Sequence, residues 1–246
     1  MSVPPDDSRT PPDTAIYAIG DIHGRRDLLE IITAKIVADA ARRDAKRRIL
    51  VFLGDYIDRG ADSRRVVETL LEPPPDGFER VTLKGNHEDL LLRYLAGEWE
   101  AGRHWFDYDG QDALADYGVE IADRQARDDA SMALLRQRFA AALPQPHLDF
   151  FRTLPTHYRA GGYYFVHGGI RPGVPLELQT PHDCMWLRGA FLKSAAEHGA
   201  VVVHGHTICA QPEVRHNRIG IDTGAYRSGV LTCLVLEGAT RCFLQS

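Results

Sequence analysis

The stretch "AIYAIGDIHG" (residues 15–24) sets a short apolar run against a glycine and then presents Asp21 and His23, two side chains of types that can ligate a metal. A run of that length, bounded by glycine, reads as a buried strand. The next segment, "DLLEIITAKIVADAA" (27–41), repeats leucine and isoleucine at helical spacing. The alternation continues with "RILVFLG" (48–54), a helical "SRRVVETLLE" (63–72), a proline break and "ERVTLKG" (79–85). Strand, helix, strand, helix, strand predicts a βαβαβ unit with a largely parallel sheet, and so an α/β fold.

From about Glu88 to Leu154 the pattern turns helical and irregular, which predicts an inserted helical cap over about 88–154. Its aromatics Trp99, Trp105, Phe106 and Tyr108 are expected to pack in its core. Strand-like runs return in "GYYFVHG" (162–168), "AVVVHG" (200–205), "RIGIDTG" (218–224) and "GVLTCLVLEG" (229–238). The later runs lie close together without long helices, which predicts a second sheet packed on the first. The opening "MSVPPDDSRTPPDT" is polar, acidic and proline-rich and predicts a disordered tail over 1–13, leaving one domain over 14–246.

The formal charge of -5 argues against a general binder of nucleic-acid polymers or membrane surfaces, which would carry a basic excess. An anionic substrate stays open, because bound divalent cations reverse the local field. Cys184, Cys209, Cys233 and Cys242 have neither zinc-site spacing nor the density of a disulfide scaffold. Reduced thiols and a cytoplasmic location are the expectation. No apolar run approaches membrane-spanning length.

One device recurs. "AIGDIHG", "FLGDYIDRG", "LKGNHE", "FVHGG" and "VHGHT" each carry an apolar run into glycine beside Asp, Asn or His. In an open α/β sheet, ligands bind beyond the carboxyl ends of the strands, and glycine there lets the backbone turn and approach closely. The segments would bring Asp21, His23, Asp55, Asp58, Asn86, His87, His167 and His206 to one sheet edge. Taken alone, "GNHE" could be a helix N-cap at Asn86 with acidic first-turn residues. Together the segments make an oxygen- and nitrogen-rich set suited to manganese, iron or zinc. Two-metal hydrolysis needs a carboxylate shared between the ions, and Asp55 is central in the series.

The series "GDIHG…GDYIDRG…GNHE…HGG…GHT" resembles the phosphoprotein phosphatase branch of the calcineurin-like metallophosphoesterases, nearest to bacterial enzymes of the phage lambda type. "WFDYDGQDALADYG", "GIRPGVPLELQ" and "DCMWLRGAFL" extend the likeness over about residues 15 to 237. The resemblance implies a four-layer α/β/β/α sandwich of two mixed sheets. It implies Asp21 and His23 on one divalent metal, Asp55 bridging, and Asn86, His167 and His206 on the other. Manganese is the first expectation for both ions, with iron, zinc or nickel as alternatives. It further implies His87 as general acid oriented by Asp58, with Arg59, Arg188 and Asn86 holding the phosphate.

The activity implied is hydrolysis of phosphoserine or phosphothreonine in proteins, with phosphotyrosine and small phosphoesters as further substrates. A symmetrical bis(5'-nucleosyl)-tetraphosphatase is the enzymatic alternative, and an inactive metal- or phosphate-binding module is the alternative of another class. Asp222 could support the site by holding a ligand histidine, and Tyr226 is expected either to reach the site or to pack in its turn. His204 is expected to assist from behind or to bond Asp21. Ile208 stands where other branches carry a second histidine in GHxH, which would leave the first metal with fewer protein ligands. His104, His147, His157, His182, His198 and His216 have no motif around them and are expected to be structural or solvent-facing.

Overall fold

The computed structural model describes residues 8–123 and 127–246. β1 (Thr14–Ile19) leads through α1 (Arg26–Ala40) to β2 (Arg47–Phe52), then through α2 (Ser63–Leu71) to β3 (Phe78–Thr82). The strands run parallel, with Ile19 opposite Phe52 and Phe52 opposite Thr82, so their carboxyl ends finish level. Both helices form on one apolar face: Leu28, Leu29, Ile32 and Ile36 are buried in α1, and Val66, Val67 and Leu70 in α2.

α3 (Asn86–Leu95), α4 (Trp99–Asp107), α5 (Gly110–Asp116), α6 (Asp129–Ala142) and α7 (Gln145–Thr153) come next. The helical stretch thus begins at Asn86, inside "GNHE". Trp105, Phe139 and Phe151 share one apolar cluster with Ile32 of α1, Val66 of α2 and the Tyr17, Leu50 and Phe52 face of the first sheet. The insertion therefore extends the outer helical layer.

β4 (His157–Ala160) and β5 (Tyr163–Val166) precede a 3-10 turn at Leu176–Leu178. Then come α8 (Pro181–Trp186), α9 (Gly189–Lys193), β6 (Val201–His204), β7 (Glu213–Val214) and β8 (Arg218–Gly220). These strands form a second five-stranded sheet in the order β4-β5-β6-β8-β7. α10 (Ala225–Ser228), β9 (Thr232–Glu237) and β10 (Thr240–Gln245) complete the chain. The first sheet has the order β10-β9-β1-β2-β3, with β9 antiparallel to β1.

Two mixed sheets flanked by helices make the expected α/β sandwich, with one change of membership. "GVLTCLVLEG" does not join the second sheet but returns to the first as β9. Its two faces explain this: Leu234 and Leu236 enter the cluster between the sheets, while Cys233 and Val235 enter the cluster under the helices. A strand apolar on both faces needs a place with cover on both sides, and β10 then shields its far edge. Between the sheets, Ile16, Ala18, Val51 and Leu53 meet Tyr163, Phe165, Val203 and Ile219. Behind the second sheet, Tyr164, Val166 and Val202 meet Leu176, Cys184 and Phe191.

Residues 1–7 of the expected tail lie outside the described residues, but residues 8–13 do not behave as a tail. Ser8 and Thr10 are buried. The Arg9 carbonyl accepts from Gly162 N–H at 2.8 Å and the Ser8 carbonyl from the Tyr163 hydroxyl at 3.0 Å. Thr10 N–H donates to Gly238 O, and Gly238 N–H donates back to Thr10 Oγ1. Local composition predicted disorder, but these backbone groups find partners on both sheets at the amino end of β5 and the β9–β10 turn.

Phe165 is fully buried between the sheets. Phe165→Ala should cost about 3–5 kcal/mol of stability, read as a fall in the denaturation midpoint in urea. A cost under about 1 kcal/mol would mean that the two sheets are not packed face to face.

Candidate metal centre

The loops after β1 and β2 are joined by backbone bonds. Ile22 and His23 N–H donate to Asp55 O, and Gly24 N–H donates to Tyr56 O. To make these turns His23, Asp55, Asp58 and Arg59 adopt φ of 45°, 53°, 73° and 66°, and His206 adopts 63° in the loop after β6. Non-glycine residues rarely occupy this region, and such strain gathers at functional sites. Glycine serves here through close approach. A Cβ at Gly85 would strike the Asp55 carboxylate, and one at Gly205 would strike that of Asp21.

Asp55 sits at the middle. Its Oδ1 accepts from His87 N–H at 3.1 Å. Its Oδ2 lies 3.3 Å from His167 Nε2, 3.5 Å from His23 Nε2 and 3.9 Å from His87 Nε2. His167 Nε2 also faces Asn86 Oδ1 at 2.8 Å and His206 Nδ1 at 3.0 Å. The other nitrogens of two rings are committed: His167 Nδ1 lies 3.0 Å from Leu53 O, and His23 Nδ1 2.8 Å from Ile57 O. A carbonyl accepting from Nδ1–H is the usual arrangement behind a metal-bound histidine, whose Nε2 then faces the metal.

Oxygen and nitrogen atoms of metal-ligand type thus converge, which suits a cation. Asp55, His167 and His206 form one group able to hold a metal, and His23, Asp55 and His87 form another, with Asp55 common to both. Asp21, expected beside His23, lies at the edge of this set. Its oxygens accept from His206 N–H at 3.0 and 3.2 Å, and its Oδ1 is 4.0 Å from His167 Nδ1.

Burial keeps the ring of His206 neutral, pushed down to about 2, and that of His87 neutral at about 4. His23 is likewise lowered well below its usual value, first by burial and then by His87. Burial acts against the Asp55 carboxylate too, but the neighbouring His167 and His87 outweigh it and hold Asp55 well below the usual range. Burial acts against a charge on His167 as well, but Asp55 beside it outweighs that and raises this ring, so metal binding there would release a proton. Asp21 is raised, first by burial and then by the charges of Asp222 and Asp55, an excess of buried negative charge that divalent cations would relieve.

Beside this set, His87 Nδ1 lies 2.5 Å from Asp58 Oδ2, which also accepts from the indole Nε1–H of Trp105 at 2.7 Å. Trp105 has its expected place in the core, but its indole N–H reaches the site as well, which the core reading missed. Arg59 Nη1 lies 2.8 Å from His23 Nε2, and the guanidinium stacks on Tyr226 with 4.9 Å to the ring centre. Arg188 Nη2 reaches His206 O at 3.2 Å and Nδ1 at 3.3 Å. The two guanidinium groups therefore lie against the donor set. Tyr226 also meets the His23 ring edge-on at 5.6 Å, which places it in the site.

Other expectations are corrected. His204 does not bond Asp21, which is held by the backbone of His206 instead. Its Nδ1 contacts Gly205 O, and its ring packs edge-on against Phe191 at 5.1 Å, because alternation along β6 turns it to the outer face with Val202. Asp222 holds no ligand histidine among the described residues, since its Oδ1 accepts from Gly224 N–H within its own turn. The N-cap of α3 is Gly85 rather than Asn86. Glu88, read only as a first-turn acid, is fully buried and accepts from the N–H groups of Gly85, Asp55 and Tyr56, each at 2.9 Å.

A profile of the calcineurin-like phosphoesterase family matches residues 14–222, and the chain belongs to that family. Among its relatives, the asymmetrical bis(5'-nucleosyl)-tetraphosphatase PrpE of Anoxybacillus flavithermus is 24% identical over 237 residues, with 88% of each chain covered. The symmetrical bis(5'-nucleosyl)-tetraphosphatase of Methylococcus capsulatus is 33% identical over 162 residues, 64% of this chain and 44% of that one. The fold is shared with a solved structure described as a putative diadenosine tetraphosphatase, at a TM-score of 0.62 and 19% identity, over 99% of this chain and 96% of the other. A cold-active protein tyrosine phosphatase shares it at a TM-score of 0.55 and 18% identity, over 96% and 81%.

Asp55→Asn keeps a residue that tolerates left-handed backbone but removes the shared charge. Calorimetric titration with manganese should show the loss of high-affinity binding, while the thermal midpoint of the metal-free protein stays within a few degrees. Glu88→Ala should lower that midpoint, because three buried N–H groups lose their acceptor at roughly 1–3 kcal/mol each. An unchanged midpoint would remove Glu88 from its organising place.

Proposed function

We propose that this chain is a metal-dependent phosphohydrolase acting on phosphoanhydrides and phosphate esters, with dinucleoside tetraphosphates foremost. The observation that carries the reading is the meeting of donors around Asp55 beside the buried His87–Asp58–Trp105 chain. Asp21, His23 and Asp55 would hold one divalent ion, and Asp55, Asn86, His167 and His206 a second. Manganese is the first choice, with iron, zinc or nickel as alternatives for an oxygen and nitrogen set. Such ions supply Lewis acidity toward phosphoryl oxygens and lower the pKa of water.

The remaining work falls to the chain's own groups. With Nδ1 of His87 tied to Asp58, Nε2 is the atom that passes a proton to the leaving oxygen. Burial keeps the ring neutral at rest, and an arriving phosphate anion favours its protonated form, so the acid is armed by substrate. Arg59 and Arg188 offer forked N–H groups to the phosphoryl oxygens, which lysine cannot reproduce, and Asn86 offers its amide.

The tetraphosphate reading draws support from relatives of that name covering 88% of the chain. The second reading, phosphoserine or phosphothreonine in proteins, is favoured by the order of "GDYIDRG", "GNHE" and "HGG", which resembles phosphoprotein phosphatases. An inactive binding module is set aside because every donor and His87 are present. The free cysteines, Cys184 and Cys233 among them buried, suit a reducing compartment such as the cytoplasm. Among the described residues, no helix is long and apolar enough to cross a membrane.

Metal-stripped protein reloaded with manganese, iron, zinc, nickel or magnesium should turn over diadenosine tetraphosphate with a higher kcat/KM than a phosphopeptide or p-nitrophenyl phosphate. Preference for the phosphopeptide would put the second reading first, and no turnover with any metal would sink both. His87→Asn should lower kcat by about 10²–10⁴.

A further inference from the structure

Aromatic rings flank the donor set in two places that phosphoryl chemistry leaves unused. On one side Tyr108 lies 6.0 Å from the His87 ring and 4.9 Å from His104. His104 lies nearly parallel to Trp186 at 5.7 Å and 15°, and Trp186 nearly parallel to His182 at 6.2 Å and 21°. Trp186 also meets the His206 ring edge-on at 6.4 Å. On the other side stands Tyr226, against His23 and over Arg59.

Core packing accounts for these rings only in part, since Tyr108 and Trp186 rest one side against the helical apolar cluster. His104 and His182 are exposed, and Tyr108, Trp186 and Tyr226 are half-buried, whereas Trp105 and Phe106 of the same helix are buried. Trp186 is also held in orientation, its Nε1–H donating to Asp89 Oδ2 at 3.3 Å. Flat, fixed and partly exposed rings beside phosphate-binding groups suit a flat ligand joined to a phosphate.

We propose that the band of Tyr108, His104 and Trp186 is a nucleobase subsite, which stacks the base of a nucleotide whose phosphate lies between Arg59 and Arg188. The proposal rests on the phosphohydrolase reading for the place of the phosphate. Stacking tolerates any base, because every base has a π face. Tyr226, across the donor set, is positioned for the second base of a dinucleotide. The sequence carries no sign of this, since His104 and His182 have no motif around them and are expected to be structural or solvent-facing.

The test compares AMP with ribose 5-phosphate, which differ by the base, in manganese-loaded protein carrying His87→Asn to suppress turnover. Calorimetry should give AMP about tenfold the affinity of ribose 5-phosphate. Adding Trp186→Ala should shrink that ratio to within about twofold, and adding His104→Ala should lower it in the same direction. Equal affinities in the parent, or a ratio unchanged by both substitutions, would overturn the subsite. If Trp186→Ala does not fold, the exposed His104 carries the test alone. Because binding is read without turnover, an absence of tetraphosphate hydrolysis by the wild-type protein would count against the proposed function separately.

Discussion

The carboxylate of Glu88 organises the centre without facing it. One buried side chain accepts from Gly85, Asp55 and Tyr56 N–H, binding the loop after β2 to the start of α3. That bond fixes Asp55 in its left-handed turn and sets its Oδ1 over the first N–H groups of α3, which leaves Oδ2 turned to the ring nitrogens. Gly85 makes the approach possible, since any side chain there would displace the Asp55 carboxylate. One acid, placed for its hydrogen bonds, thereby directs another, placed for its charge. Burial lifts Glu88 to about 7, a measure of how little solvent reaches this junction.

The donors come from both layers of the sandwich. Asp21, His23, Asp55 and Asn86 succeed strands of the first sheet, while His167 and His206 succeed strands of the second. Their distances therefore depend on how the two sheets pack, through side chains such as Val51, Leu53, Phe165 and Val203. Chemistry that needs ångström placement rests on an apolar contact that contains no reacting group.

What the sequence made legible was what is local. A short apolar run, a glycine and a polar side chain can be read within ten residues, so the donors and the parallel β1-β2-β3 unit were found. What it hid was set by partners far along the chain. Glu88 looks like an ordinary first-turn acid until Asp55 and Tyr56 are brought to it. Trp105 looks like core because it is core, and its single polar atom reaches Asp58 from 47 residues away. The return of β9 to the first sheet depends on which cover its two apolar faces find. His204 and His206 look alike in "VVVHGHT", yet strand alternation turns one outward and a left-handed turn brings the other in.

The contact between the sheets is fastened at both ends, by different means. At one end Ser8, Arg9 and Thr10 bond to Gly162 and Tyr163 of one sheet region and to Gly238 of the other, all within the chain and independent of solutes. At the opposite end the sheets meet in the donor set, where Asp21 accepts from His206 N–H and Asn86 faces His167. The protein is therefore asymmetric in its dependence on its surroundings. The first end rests on hydrogen bonds within the chain, while at the second any cation that binds the folded state alone would stabilise it by mass action. Closure of the sandwich at that end would then be linked to whatever occupies the donor set.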